Sequence, residues 1–403
     1  MGFTTGAKTT RNILEEIVNS LVATGVWYNV DTTWSSATIV QDNNCKRVLT
    51  YGTTGDTGRG NSTLSGVIAI NTKVLIVNDI TNFAINDKIV IGTGNTAEVR
   101  IISSILGSQI TVDANFNTAH TTAETVSALN FEIYMAIEII NQVSGMNYYY
   151  GSPWYYGKGF RFVFSASWDA VAHTYPTSNQ SSFIPFETYY NGGVVADLGP
   201  TPPPPAIPTN MGIMVTYWMW VEDNGNGFVI MGVPEPTSDT HQQSFIIVVE
   251  RNATKEYADG YTNFFLYKAC NMWSQLYDGN NTSSIWRDRQ LLRPFAFQWS
   301  DDTSKNTTFA SGYGISFVPT PSYYAFKSNG DSKVYYVKPL IHNAAGQITP
   351  IFQSNLFFPW SESVGLIDGD IIAIEGQTTK FLCKSLASPD STSRITYAIK
   401  YVA

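Results

Sequence analysis

The first periodic stretch of the chain predicts an amphipathic helix over about residues 10–24. Asn12 and Glu15 have the spacing of a capping box, Glu16 adds negative charge to the first turn, and Gly25 is a natural stop. One face of this helix carries an apolar stripe made of Ile13, Leu14, Ile17, Val18, Leu21 and Val22. Two interpretations are open: the stripe covers the protein's own sheet, or it binds a partner in an assembly.

Almost everything after Gly25 has the pattern of β-strands. Short runs rich in β-branched and aromatic residues, such as KIVIG, EVRIISSI and SFIIVVER, are separated by clusters of Gly, Asn and Asp. The segment MVTYWMWVEDNGNGFVIMGV predicts a hairpin, because its Asn-Gly pairs suit a tight turn. Faint helical periodicity in EIYMAIEIINQV and FFLYKACNMWSQLY indicates helix at these two places. The predicted fold class is nevertheless mainly β, with β-sandwich or barrel domains, one N-terminal α-helix and a small inserted β-domain.

The domain organisation follows from changes in composition along the chain. Residues 62–127 begin and end on Thr-, Ser- and Asn-rich seams, which predicts a small β-domain inserted in a surface loop. The main β body is then residues 1–61 and 128–403, with a C-terminal β subregion at about 335–403. A Pro-rich linker at 199–209 predicts an extended, stiff connection between two sheets, or a ligand for a proline-binding domain.

Composition and charge narrow the class of function. Only 14% of the residues are charged and 14% are aromatic, which suits a protein packed against neighbours or a β-rich monomer. The net charge of −8, without a run of Lys or Arg, argues against specific nucleic-acid binding. We expect no membrane insertion, because no stretch reaches the roughly 18 apolar residues of a membrane span. The three cysteines are too far apart to indicate a disulfide framework or a zinc site.

One short motif resembles a dinucleotide-binding turn. KIVIG runs into Gly92-x-Gly94-x-x-Ala97, but a nucleotide site requires a helix after the glycines. The following residues, EVRIISSI, alternate as in a strand, and Gly107 turns the chain into QITVD. We therefore expect the glycines to lie in a turn between two strands, and we predict no nucleotide site.

The remaining polar residues do not predict catalysis. The four histidines are scattered, and no nucleophile motif is present. Asp368 and Asp370 form a carboxylate pair, but an Asp-Gly turn before an apolar run is the more common use of such residues. The sequence therefore predicts a non-enzymatic protein with no catalytic, cofactor-binding or metal-binding residues, and no cofactor.

Clustered aromatic residues are the strongest sign of a binding surface. Amphipathic aromatic side chains stack on sugars or anchor protein interfaces, and the low charge favours an interface. The predicted interface combines the helix residues Ile13, Leu14, Ile17, Val18 and Leu21 with the aromatic residues Tyr148, Tyr149, Tyr150, Trp154, Tyr155 and Tyr156.

Residues 83–126 carry a recognisable pattern of turns and strands. Its positions are Phe83, Asp87, Ile91, Gly92, Glu98, Val99, Gly107, Ile110, Thr111 and His120. In this pattern the segment resembles a small β-module of structural proteins from tailed bacteriophages. The C-terminal stretch GLIDGDIIAIEG, with ITYAIKYVA after it, is similar to the ending of phage virion proteins.

The resemblance implies a location in the virion, after synthesis in the cytoplasm of the bacterial host. It implies a minor tail, baseplate or neck component that binds other virion proteins and forms a symmetric homo-oligomer, either a ring or a trimer. An alternative is a receptor- or carbohydrate-binding module of an adsorption apparatus, which would contact a glycan or receptor on the host surface.

Overall fold

A computed structural model of the chain describes most of the N-terminal half and shorter segments of the remainder. The described residues are 2–31, 44–140, 155–165, 167–169, 178–180, 184–190, 214–235, 240–242, 244–251, 264–270, 298–299, 314–316, 325–327, 334–336, 340–343, 349–360, 365–387 and 394–401. The predicted Pro-rich linker at 199–209 lies outside them.

Strands dominate these residues, which confirms the prediction of a mainly β protein with an N-terminal helix. The first elements are β1 (Phe3–Thr9), α1 (Thr10–Val22), β2 (Trp27–Asp31), β3 (Asn44–Thr53), β4 (Asn61–Thr63), β5 (Val74–Ile76), β6 (Lys88–Ile91), a 3-10 turn (Gly94–Thr96), β7 (Glu98–Leu106), β8 (Gln109–Val112), β9 (Thr125–Ala128) and β10 (Asn130–Ile140). They are followed by β11 (Tyr155–Ser165), β12 (Ser178–Gln180), β13 (Ile184–Tyr190), β14 (Met214–Val221), β15 (Gly227–Pro234), β16 (Thr240–Gln242), β17 (Phe245–Arg251), β18 (Phe264–Cys270) and β19 (Gln298–Trp299). The last strands are β20 (Gly314–Ser316), β21 (Ala325–Lys327), β22 (Val334–Tyr336), β23 (Leu340–Asn343), β24 (Thr349–Gln353), β25 (Phe357–Pro359), β26 (Ile371–Ala373), β27 (Lys380–Ala387) and β28 (Arg394–Tyr401).

Helix α1 forms where the apolar stripe predicts it, but its N-terminus is capped differently. Thr9 is the N-cap, and its hydroxyl accepts a hydrogen bond from the Asn12 N–H at 3.4 Å. The predicted capping box of Asn12 and Glu15 is therefore wrong. The Glu15 carboxylate instead pairs with Arg47 on β3, so it ties the helix to the neighbouring sheet.

Two sheets face each other in the main body and bury a shared core. The first sheet has the order β1-β14-β15-β17-β18-β19, and the second has the order β16-β13-β11-β10-β3-β2 with β12 beside β11. Helix α1 connects β1 to β2 and contacts β1, β14, β2, β3 and β10, so it covers one edge of the sandwich. The core alternates along each strand and includes Leu49, Met135, Ile137, Phe160, Phe162, Tyr217, Met219, Phe228, Ile230 and Ile247.

In their described parts, residues 132–140 and 264–270, the two faint helical patterns after the insertion are strands, which corrects both predictions there. Strand β10 pairs with β3 on one side and β11 on the other. Ile133 and Met135 enter the core of the sandwich, whereas Tyr134 and Ala136 are buried on the opposite face. A strand buried on both faces is a continuous apolar run, and such a run cannot be distinguished from a buried helix by periodicity. The second pattern contains β18, which pairs with β17.

Residues 61–128, which contain the predicted insertion 62–127, form a small six-stranded barrel. The strand order is β4-β9-β6-β7-β8-β5, and the circuit closes where Leu64 after β4 bridges Val77 after β5. The flanking strands β3 and β10 are hydrogen-bonded neighbours with Thr53 opposite Asn130, so the barrel replaces a hairpin loop. Its interior is filled by Leu64, Ile68, Leu75, Val77, Phe83, Ile89, Ile91, Ile102, Ile110, Val112, Phe116, Val126 and Ala128.

The barrel is packed against the main body through one side of its wall. Tyr28 on β2 lies in an apolar cluster with residues of β6, of the turn before β7 and of the segment leading to β10. Lys88 adds a cation–π contact, because its Nζ lies 3.6 Å from the centre of the Phe131 ring. The apolar cluster consists of Tyr28, Val90, Ala97, Val99 and Leu129, with Phe131 packed against it.

A third layer covers the outer face of the first sheet. The C-terminal sheet has the order β25-β28-β27-β26. Between the two sheets lies a second apolar core made of Trp220, Val229, Met231, Ile246, Val248, Leu356, Phe357, Leu386, Tyr397 and Ile399. These sheets form a three-layer β body with the barrel on one side, and the described residues also include two small sheets, β20-β23-β24 and β21-β22.

Candidate functional site

The glycine-rich turn after β6 is a connection within the barrel, as the sequence predicts. Strand β6 pairs antiparallel with β7, from Lys88 opposite Ile101 to Ile91 opposite Glu98. Between them the chain makes a short 3-10 turn rather than the α-helix that a bound pyrophosphate requires. The GxGxxA match is therefore a β-hairpin.

Gly92 is required by the packing around it as well as by its backbone angle. Its φ is 77°, a left-handed conformation that favours glycine. A Cβ at this position would lie 2.9 Å from Glu124 Oε2 and 3.5 Å from His120 Nδ1. The turn therefore places a glycine backbone directly against a histidine and a carboxylate.

These two side chains belong to a charged cluster, which we call the barrel charge cluster: Glu98, Arg100, His120 and Glu124. The Arg100 guanidinium pairs with Glu98, and His120 Nδ1 contacts Glu124 Oε2 at 2.8 Å. His120 Nε2 lies 3.5 Å from Glu98 Oε1, which is an ion-pair distance rather than a hydrogen bond. Glu98, Arg100 and His120 are each no more than 4% exposed, so the cluster lies within the barrel.

The cluster holds the loop between β8 and β9. The Glu98 carboxylate accepts a hydrogen bond from Asn117 N–H at 3.0 Å and another from Thr118 N–H. Arg100 donates from Nε and Nη2 to the Asn115 carbonyl, at 3.1 and 2.7 Å. Buried charges are tolerated when they are paired and hydrogen-bonded in this way.

The charges within the cluster shift the pKa values of His120 and Glu98. Burial by itself would lower the pKa of His120, but contacts with Glu98 and Glu124 outweigh it and raise that pKa above the usual value. Burial opposes ionisation of Glu98, yet His120, Arg100 and two backbone N–H groups hold the pKa of Glu98 below its usual range. The arrangement favours a protonated His120 between two carboxylates, and it orders the loop instead of presenting a reactive group to solvent.

The C-terminal carboxylate pair forms a turn, as the sequence predicts. Gly369 between the two aspartates has φ 90°, and Asp370 Oδ2 accepts from the Ile367 N–H at 3.0 Å. Asp368 accepts from Lys384 Nζ at 2.7 Å and from the Ser385 N–H at 2.6 Å. The Asp370 carboxylate is therefore hydrogen-bonded within the turn, and the Asp368 carboxylate binds the neighbouring strand β27.

The barrel also carries most of the exposed apolar surface of the described residues. Six of the eight exposed large apolar side chains lie on it, and all eight are aliphatic: Val67, Ile70, Val74, Ile76, Ile85 and Leu106 on the barrel, and Ile367 and Ile371 in the C-terminal layer. Leu106 and Ile76 both lie opposite Gln109 in the strand register, which puts them on one face of neighbouring strands. Val74 is two residues before Ile76 and shares this face. We call Val74, Ile76 and Leu106 the outer apolar row.

The predicted interface residues fall into two groups. Ile13, Leu14, Ile17, Val18 and Leu21 are at most 2% exposed and lie in the core of the sandwich. This corrects the use of that helix face as an interface, because the chain's own sheets cover it. The aromatic residues Tyr148, Tyr149, Tyr150 and Trp154 lie outside the described residues. Tyr155 and Tyr156 begin β11, where their backbones pair with Tyr190 and Tyr189.

Sequence reasoning missed three features of the barrel. It did not identify Arg100 and Glu124, which complete the charge cluster, because the two local pairs meet only through the contact between Glu98 and His120, which are 22 residues apart. It also missed the outer apolar row, although three consecutive apolar residues at the edge of a small domain cannot all face its interior. That run, Val74 to Ile76, is the signal that could have revealed the row.

The described residues offer neither a metal-binding group nor a helical membrane span. No group of three or more His, Cys, Asp or Glu side chains there could hold a metal ion. Within the same residues, no helix has the length and hydropathy needed to cross a bilayer.

Comparison with known proteins gives this chain no relative. No protein-family model, curated protein or solved structure matches it.

Proposed function

We propose that this chain is a non-enzymatic structural component of a tailed-phage particle. It belongs to the tail, baseplate or neck and assembles through protein–protein contacts as a symmetric homo-oligomer. The observation that carries the proposal is a contrast within the barrel: Glu98, Arg100 and His120 are buried and in contact with one another, whereas six large aliphatic side chains are exposed. Exposed apolar surface of this kind marks contact sites between proteins.

The position of the outer apolar row supports a contact with another protein. In the closed circuit of six strands, β5 lies three strands from β6, which packs against the main body through Val90. The outer face of β5 therefore points away from the body. At Ile76 the backbone of β5 is already used within the barrel, because the Ile76 carbonyl accepts a hydrogen bond from the Ser65 N–H at 2.9 Å. Side chains rather than backbone groups therefore make the contact there.

The aliphatic character of the exposed residues favours a protein partner over a sugar. Sugar-binding platforms use aromatic rings, and none of the exposed large apolar residues in the described segments is aromatic. The alternative function, binding of a host-surface glycan or receptor, would depend on the Tyr- and Trp-rich stretch 148–156. A glycan array with the wild-type chain and Trp154→Ala tests that alternative directly.

The main test is a search for the protein in purified particles of the phage that encodes it. Mass spectrometry should detect the chain there, and light scattering should show a concentration-dependent oligomer of the purified protein. Leu106→Ser and Ile76→Ser should weaken the oligomer, whereas Ile371→Ser in the C-terminal layer serves as the control matched to Ile76, since these two isoleucines are 50% and 46% exposed. A chain that is absent from particles and monomeric at high concentration would contradict the proposal.

A further inference from the structure

A buried glutamate lies at the junction between the first sheet and the C-terminal layer. Glu250 on β17 is 5% exposed, and its side chain shares a strand face with Ile246 and Val248 in the core between the two sheets. Ser354 Oγ donates to Glu250 Oε2 at 2.7 Å, and Asn355 N–H donates to Oε1 at 3.1 Å. Both oxygens of one carboxyl group therefore bind the segment that leads into β25.

The receiving segment is itself buried and fixed. Ser354 is 1% exposed, and its hydroxyl also accepts a hydrogen bond from Leu356 N–H at 3.2 Å. Gly227 opposite Glu250 allows the close approach, because a Cβ there would lie 2.9 Å from Glu250 Cα and 3.1 Å from Leu356 Cδ1. The first strand of the C-terminal sheet thus starts from a contact with this carboxyl group.

The charged groups around Glu250 do not neutralise it. Lys400 on β28 is paired with Glu222 at the end of β14, at 2.5 Å. Arg251, the next residue on β17, lies on the other side of the strand, over the ring of Tyr51 at 5.1 Å. Of the charged groups on the neighbouring elements, Glu222 and Lys400 act on the pKa of Glu250.

The net effect of these surroundings is a shifted titration. Burial is the main cause that raises the pKa of Glu250, to about 8, and the charge of Glu222 adds to it. The hydrogen bonds from Ser354 and Asn355 and the charge of Lys400 act in the opposite direction. At neutral pH the neutral form of the carboxyl group therefore predominates.

We propose that Glu250 is a proton-dependent clasp that holds the C-terminal β layer on the first sheet and loosens when it ionises. A neutral carboxyl group with two hydrogen-bond partners is tolerated in an apolar junction. An ionised one requires hydration or a full counter-charge. Water reaches Glu250 only if the segment around Ser354 and Asn355 moves away from β17, so ionisation favours separation of the two sheets.

The direction in which the stability of the junction changes with pH follows from thermodynamic linkage. The folded-state pKa is raised above the ordinary value of 4.5, so the folded state binds the proton more tightly than the unfolded state does. The stabilising effect of the proton is complete below pH 4.5 and is lost as the pH rises through about 8. The junction should therefore open at alkaline pH.

Hydrogen exchange of the full chain between pH 6.5 and 9.5 tests the clasp. After correction for the intrinsic rate, the amides of β25 and β28 should exchange faster above a midpoint of about pH 8. Glu250→Gln cannot ionise and should abolish this transition. Glu235→Gln, at an exposed glutamate just after β15, is the matched control and should leave it unchanged.

A second variant keeps the test decisive if Glu250→Gln fails to fold. Ser354→Ala removes a donor that favours the ionised carboxylate, so the midpoint should move to higher pH. A purely structural hydrogen bond would lower protection at every pH without moving the midpoint. The clasp is rejected if the wild-type exchange shows no alkaline transition, if Glu250→Gln retains it, or if Ser354→Ala leaves its midpoint in place.

Discussion

The backbone of Gly92 lies against the carboxylate of Glu124, so that a Cβ on residue 92 would sit 2.9 Å from Glu124 Oε2. The same oxygen contacts His120 Nδ1 at 2.8 Å. A turn that resembles a nucleotide-binding motif is therefore explained by the internal packing of a β-barrel.

Gly92→Ala should destabilise the barrel more than Gly94→Ala does. Both glycines have positive φ, but nothing lies within 4 Å of a Cβ at position 94. We expect a loss of about 1 kcal/mol for Gly94→Ala, from backbone strain alone. For Gly92→Ala we expect about 2–4 kcal/mol, because strain and a steric contact add. Hydrogen exchange of barrel amides measures both, and equal losses would contradict the packing argument.

Glu98→Gln should destabilise the barrel more than Glu124→Gln. The first change leaves the buried Arg100 without its counter-charge, which typically costs about 3–5 kcal/mol. The Glu124 side chain is 29% exposed, so water can replace part of its contacts, and we expect a loss of about 1 kcal/mol. Unfolding free energies from hydrogen exchange of the barrel amides would show which variant is less stable. A larger loss for Glu124→Gln would contradict the view that Glu98 stabilises the barrel more than Glu124 does.

The stability of the barrel should fall with rising pH because of His120. Its folded-state pKa is raised, so its contribution is complete below the ordinary value of 6.5 and is lost as the pH passes through the folded value. Glu98 and Glu124 have lowered pKa values, so their contributions are lost on acidification below about 4.5. In His120→Gln the alkaline decline of barrel protection should disappear while the acid decline remains. An unchanged alkaline decline would assign it to another group.

Tyr28→Ala should loosen the barrel from the main body without unfolding it. Tyr28 is 7% exposed and packs on barrel residues outside the barrel's own core. Small-angle scattering should show a larger radius of gyration, while the barrel amides stay protected. Tyr28→Phe is the control, because it keeps the ring and removes only the 2.7 Å hydrogen bond to the Gly25 carbonyl. An unchanged radius for Tyr28→Ala would show that other contacts fix the barrel.

Local patterns were sufficient for the elements whose partners are adjacent in the chain. The stripe from Ile13 to Val22 predicts α1, and the Asn-Gly pairs predict the turn between β14 and β15. The alternation after Gly94 predicts β7 rather than a nucleotide-binding helix. In each case the determining physics, apolar periodicity or a positive φ, acts within a few residues.

Sequence periodicity led to wrong predictions where a residue is buried by segments that are distant in the chain. The sequence of β10 resembles that of a helix because both faces of the strand are buried, one in the core shared with the first sheet and the other in a cluster that includes Trp168. The helix face that carries Ile17 was predicted as an interface, but it is covered by strands that are distant in the chain, including β17 with Val249. Periodicity reports that a face is apolar and not which surface covers it.

A mainly β chain with one N-terminal helix could be predicted from the amino-acid sequence, because strand and helix periodicities are local properties. The tertiary structure was needed to bring Glu98 and His120 together in the barrel charge cluster, beside the backbone of Gly92. It alone placed Glu250 in an apolar junction between two sheets. The physical reason is that burial and charge pairing depend on contacts between residues far apart in the chain, and those contacts set both the packing and the pKa of each group.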